Sequence, residues 1–129
     1  MPRKIAVRLG TAVGIVAVLA GAGWMFLEWV ESDMCGNEVI EVVRSPDAKW
    51  DAVLFERSCG PTTGFSSQIS LLEAGRGLRN RSGNIYVADG YPNDYTLQWV
   101  SNDLLEVSGG SGRRFKAETE YSGISVSYR

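Results

Sequence analysis

Two patterns of apolar residues divide this chain. Leu9 to Leu27 is a run of 19 positions without a charge. From residue 38 onward the apolar residues come in short, often alternating runs, punctuated by Gly, Pro, Asn and Asp. The first pattern has the length of a membrane span, and the second is that of short strands joined by tight turns. The strand-like runs are Glu38–Arg44, Trp50–Arg57, Phe65–Leu72, Asn84–Ala88, Tyr95–Val100, Leu104–Val107, Arg114–Tyr121 and Gly123–Tyr128. Arg114–Tyr121 is ambiguous, because Phe115-Lys116-Ala117-Glu118 also suits one helical turn. The connection Ser101-Asn102-Asp103 is short enough for a hairpin.

At about 1.5 Å rise per residue the uncharged run makes roughly 28 Å of helix, close to the ~30 Å hydrocarbon thickness of a bilayer. Arg3, Lys4 and Arg8 precede it, Glu28, Glu31 and Asp33 follow it, and Trp24 and Trp29 flank its far end. The positive-inside rule places the N-terminus in the cytoplasm and the rest of the chain outside. A cleaved signal peptide is the competing reading, with Ala20-Gly21-Ala22 as the small-residue cleavage point. Trp24-Met25-Phe26-Leu27 continues the apolar run past that point and favours an uncleaved signal-anchor. The expected organisation is a cytoplasmic N-terminus over 1–8, a transmembrane anchor over 9–30 and an extracytoplasmic β domain over 31–129, in a single-pass protein of the cell membrane.

Two cysteines outside the cytoplasm suggest a disulfide. Register supports the pairing. If Ser45–Lys49 is a hairpin turn centred on Asp47, Cys35 stands opposite Cys59 at the open end. The same register opposes Ile40 with Leu54, Val39 with Phe55, and Glu38 with Glu56.

Composition narrows the chemistry. The chain is 44% hydrophobic and 22% charged, so most of it is expected to fold. Its formal charge of −2 conceals an asymmetry: residues 1–30 carry a net of +2 and residues 31–129 a net of −4. A net-acidic domain is a poor partner for nucleic-acid phosphates. The chain contains no histidine. That removes the Ser-His-Asp and Cys-His arrangements, the usual zinc sites and the commonest general base at neutral pH.

Ser45-Pro46-Asp47-Ala48-Lys49-Trp50 looks like the turn of propeller-type repeats, with Ala48 in place of the usual Gly. It occurs once, whereas a propeller needs several copies, so the likeness is one of turn chemistry. A longer string, Cys59-Gly60-Pro61-Thr62-Thr63-Gly64-Phe65-Ser66-Ser67-Gln68-Ile69-Ser70, resembles the core of a family of small bacterial envelope proteins. Gly83–Ala88, Trp99 with Leu104, Glu106 and Val107, and the closing Gly123–Tyr128 extend the resemblance over residues 35–128. It implies an envelope location and a shared fold, and it supplies no activity.

The strongest candidate site is the loop after Cys59: Gly60, Thr62, Thr63, Gly64 and Phe65. Its hydroxyls and amides suit a glycan or a peptide carboxylate; equally, glycines and threonines at a tight corner serve the backbone alone. A threonine nucleophile needs a base, and Lys49 or Glu56 is the available choice. Asp89-Gly90-Tyr91-Pro92-Asn93-Asp94 carries oxygen ligands without the spacing or closing Glu of a calcium loop. Arg76, Arg79 and Arg81 make a small basic loop among glycines, suited to anionic head groups or a polyanion, with a solvated loop as the default. The expectation is therefore all-β: a small antiparallel sandwich or rolled sheet behind one N-terminal transmembrane helix. No catalytic residue, metal site or cofactor is implied. The expected function is an extracytoplasmic binding or interaction module whose partners are the membrane and an envelope protein or glycan. The alternatives are a purely structural envelope protein and a hydrolase using Thr62 or Thr63.

Overall fold

A computed structural model gives the structure of Val18, Ala20 and residues 34–129. The expected segment 1–8 and anchor 9–30 lie outside the described residues, those two positions apart. Among the described residues no helix is long and apolar enough to cross a membrane. The chain divides into two compact units, Met1–Asp33 and Met34–Arg129, and among the described residues every strand belongs to the second.

The eight expected runs become nine strands: β1 Gly36–Arg44, β2 Trp50–Ser58, β3 Phe65–Glu73, β4 Tyr86–Asp89, β5 Thr96–Ser101, β6 Leu104–Ser108, β7 Arg114–Ala117, β8 Glu120–Tyr121 and β9 Ile124–Tyr128. The ambiguous run Arg114–Tyr121 is strand, divided into β7 and β8 at Glu118-Thr119. Asn84 stands before β4 rather than in it. Its side chain accepts from the Leu71 N–H and donates to the Leu71 carbonyl, both at 2.7 Å, and so takes the place of a paired strand residue.

The strands form two sheets, β1-β2-β3-β4-β7 and β5-β6-β9-β8. Six pairings are antiparallel, but β6 and β9 run parallel. The expectation of a wholly antiparallel sheet is corrected at that point. The chain leaves β6 for β7 in the other sheet and returns as the β8–β9 hairpin. Entering from that side, β9 lies along β6 in the same direction. Such a crossover between layers ties the two sheets together.

Register decides which side chains meet. Leu54 pairs with Ile69 and Ala52 with Leu71, which puts all four on one face. They pack with Ile85, Tyr86, Ala88, Leu97, Leu105, Val107, Ile124 and Val126 in a common core. Tyr86 stacks on Tyr128 at 5.6 Å between ring centroids, and its hydroxyl lies 2.9 Å from that of Tyr95. Arg114 lies over both the Tyr86 and Tyr128 rings. Burial pushes the Tyr95 and Tyr128 hydroxyls well above the ordinary phenol range.

Val53 and Phe55 are also buried, although they stand on the opposite face of β2, beside Ser70 and Gln68. That face is closed by residues 74–84. Gly75 N–H bonds the Asp51 carboxylate, Gly83 N–H bonds Gln68 Oε1 at 2.6 Å, and Asn84 N–H bonds Ser70 Oγ. Asn37 Nδ2 reaches the carbonyls of Arg79 and Arg81, Asn80 Nδ2 reaches the carbonyl of Cys35, and Arg57 bonds both Asn37 and Asn80. This segment is a strap pinned across β1, β2 and β3, and Arg76, Arg79 and Arg81 on it are exposed to solvent, as expected.

At the β1–β2 turn Ser45 Oγ donates to Asp47 at 2.6 Å and accepts from Trp50 N–H, while Asp47 also accepts from Lys49 N–H. The Ser45 hydroxyl holds the Asp47 carboxyl below its usual range. Ala48 has φ of 60°, in the left-handed region where Gly is ordinarily found. Cys35 and Cys59 are disulfide-bonded. Near them the register is as expected, with Glu38 opposite Glu56 and Val39 opposite Phe55. Beyond it Ile40 is bulged, and Leu54 pairs with Glu41 instead of Ile40. The cause lies in the turn: Ser45 N–H bonds the Trp50 carbonyl, so the loop comprises Pro46 to Lys49 and is centred half a residue past Asp47. The bulge absorbs that offset before the cysteines.

Candidate functional site

The loop after Cys59 is fixed at both ends. The disulfide holds its first residue, and the pairing of Phe65 with Ser58 holds its last. Between them Gly60 and Gly64 adopt φ of 128° and 70°, which side chains bearing a Cβ rarely tolerate. Thr63 folds back on the turn. Its N–H and its Oγ1 both donate to the Gly60 carbonyl, at 3.3 Å and 3.0 Å. Thr63 thus serves the corner itself, and both Thr62 and Thr63 are exposed.

Phe65 is 55% exposed, a large fraction for the first residue of a sheet strand. Its ring meets that of Tyr91 edge to face, 5.9 Å between centroids and 89° between planes. Tyr91 is itself 49% exposed. Gly90 N–H donates to the Phe65 carbonyl and Ser67 Oγ donates to the Gly90 carbonyl, so backbone bonds seat the Tyr91 loop beside β3. The structure therefore joins two loops that are far apart in sequence into one aromatic corner. The sequence reading named Phe65 and missed Tyr91. A signal was present: an aromatic residue before Pro92 in a polar turn has no strand to bury it.

The same geometry bears on catalysis. Lys49 lies in the β1–β2 turn, at the other end of nine-residue strands from Cys59. At ~3.4 Å per residue that is about 30 Å away, so Lys49 cannot activate Thr62 or Thr63. Glu56 is buried at the near end of β2 opposite Ser67, and among the described residues no hydrogen bond links it to either threonine. Two cavities are lined by residues of the strap, β3 and β8, and neither is lined by Thr62 or Thr63. Among the described residues no group of three or more His, Cys, Asp or Glu side chains could hold a metal ion. What the corner offers is contact surface: exposed aromatic rings, a hydroxyl and backbone amides on a fixed loop.

Comparison with family models, with curated proteins and with solved structures returns no match for this chain.

Proposed function

We propose that this chain is a membrane-tethered, extracytoplasmic binding module, and that Gly60, Thr62, Thr63, Gly64 and Phe65, with Tyr91, form its partner-contacting corner. The observation that carries the reading is the Phe65–Tyr91 pair. Two large aromatic side chains stay half exposed while disulfide, strand pairing and backbone bonds fix their positions. Aromatic anchors dominate binding energetics, and a loop ordered in advance loses little entropy on association. The tether rests on the uncharged run Leu9–Leu27 and the basic residues before it. That placement, and the resemblance to small envelope proteins, make an envelope protein or glycan the partner class.

The test is capture from isolated envelopes by the full chain in mild detergent. Replacing Phe65 and Tyr91 together by Ser should reduce capture by about tenfold or more, a loss of at least ~1.4 kcal/mol of binding, with the fold intact. Unchanged capture removes the corner from the partner surface. No specific capture by the parent chain favours the purely structural reading.

A further inference from the structure

The strap over β1–β3 builds a second site, separate from the aromatic corner. Its side chains line a cavity of about 380 Å³ together with Ser70, Asn84 and Tyr121. Arg76, Arg79 and Arg81 all contribute to the lining, and among the described residues no Asp or Glu does. A smaller cavity of about 180 Å³ shares Leu72, Arg76 and Tyr121 with the first and is otherwise walled by Trp50, Leu71, Glu73 and Ser122, so one carboxylate does border the groove, beside Arg76. The two therefore adjoin. Trp50 and Tyr121 meet edge to face at 6.5 Å, one ring from each sheet.

Three features set this groove apart from a basic loop without fixed surroundings. The first is the pinning of its backbone. Asn37 Nδ2 bonds the carbonyls of both Arg79 and Arg81, at 3.1 Å and 2.9 Å, and Asn80, between them, is held to the carbonyl of Cys35. The second is the state of the guanidinium groups. Among the described residues no carboxylate pairs with Arg79 or Arg81, and the Arg76–Glu73 contact is long, at 3.7 Å, and well exposed. Three like charges within six residues repel one another, and among the described residues only Arg76 of the three has a carboxylate partner. The third is the aromatic and aliphatic wall next to the cations. Guanidinium groups recognise carboxylate and phosphate in a planar, two-pronged manner, and a few polar groups beside an apolar and aromatic wall are the usual composition of a small-ligand pocket.

We infer that the groove binds an acidic sugar: a pyranose bearing a carboxylate or phosphate, its anionic group at Arg76, Arg79 and Arg81 and its ring against Trp50 and Tyr121. The ligand class follows from the adjacency. A bare anion uses the cations and leaves the aromatic cavity empty, whereas a neutral sugar leaves the cations unpaired. Arg76 lines both cavities, and an incoming acid can replace its loose contact with Glu73.

The experiment is a titration of the full chain in non-ionic detergent at low salt, followed by the arginine Nε–H and Trp50 indole resonances. The probes are glucuronate, a hexose phosphate, glucose and inorganic phosphate. At least one acidic sugar should bind saturably, about tenfold or more tighter than both glucose and inorganic phosphate. Whichever of glucuronate and hexose phosphate binds tighter identifies the acid group. Replacing Arg79 and Arg81 together by Gln should weaken that binding about tenfold or more without lowering the melting temperature. Tyr121→Leu should weaken the acidic sugar and leave inorganic phosphate unaffected. Phe65 and Tyr91 replaced by Ser should leave the titration unchanged, which separates this site from the aromatic corner. Inorganic phosphate binding as tightly as the acidic sugars overturns the proposal. So does the absence of saturable binding, binding that survives loss of Arg79 and Arg81, or attachment of the chain to anionic vesicles through those arginines with no sugar response.

Discussion

Removing the disulfide should destabilise the domain out of proportion to the two side chains involved. The bond joins residues 24 apart, and in the chain-entropy model closing a loop of that size restricts the unfolded chain by about 3.5 kcal/mol. Little else holds the start of β1. Among the described residues it is an edge strand paired with β2 alone, and Val39, Ile40 and Val42 are exposed. Firm attachments at the other end are the Trp99 Nε1–H bond to the Val43 carbonyl and the Arg44–Asp51 pair. At the disulfide end the strap hangs from β1 through Asn37 and from Cys35 through Asn80. Replacing both cysteines by Ser avoids leaving a free thiol. For a domain of this size each kcal/mol corresponds to roughly 4–8 °C, so the melting temperature should fall by about 15–25 °C. Circular dichroism of the variant and of the reduced parent protein measures it, and both should agree. Hydrogen exchange should show the extra opening concentrated in β1 and residues 74–84. A fall of under about 3 °C, or no opening in β1 and the strap beyond the loss of protection that both sheets share, refutes the reasoning, because β1 and the strap would then be held by something other than this bond.

Three further outcomes follow from particular residues. A Cβ on Gly83 would lie 2.6 Å from the Tyr86 carbonyl oxygen and 2.7 Å from that of Ile69, so Gly83→Ala should cost about 2 kcal/mol or more in denaturant unfolding. Ala48→Gly should raise stability by about 0.5–1 kcal/mol, since relief of the left-handed φ exceeds the entropy Gly adds to the unfolded chain. The Arg44 hydrogen bond, opposed by burial, holds the Asp51 carboxyl below its ordinary value. Its stabilising contribution is therefore complete above the unfolded value near ~3.9 and is lost as pH falls through the lower folded value, so Asp51→Asn should flatten the acid limb of a melting-temperature profile.

Much of the strand order was legible because half-buried strands alternate and turns have their own chemistry. Ser45-Pro46-Asp47 marked the first hairpin, and the cysteine pairing followed from its register. The bulge at Ile40 was not legible. It compensates a half-residue displacement of the turn, and nothing in Val39-Ile40-Glu41 distinguishes a bulged from a paired residue. The parallel β6–β9 pairing was hidden because periodicity identifies strands but not which layer each joins. That this exposed segment is pinned across the sheet was not legible, because Gly75–Gly83 lacks apolar periodicity. Its attachment is polar, through Asn37, Asn80, Asn84 and Gln68, and such contacts leave no period in the sequence. The unbroken apolar run Ala52-Val53-Leu54-Phe55 was the available clue, since a strand apolar on both faces needs a cover on each. At the candidate corner the glycines and Phe65 were legible, while Tyr91 required the fold to bring its turn beside β3.

The central claim, that the domain acts by holding a partner at its aromatic corner, is tested most directly by photo-crosslinking in intact cells. A photoreactive residue is placed at Tyr91 in one version of the full chain and at Asp103, in the β5–β6 turn, in another. The account predicts a discrete envelope adduct from position 91 that disappears when Phe65 is replaced by Ser, and none from position 103. Equal labelling from both positions, or no adduct from 91, contradicts it.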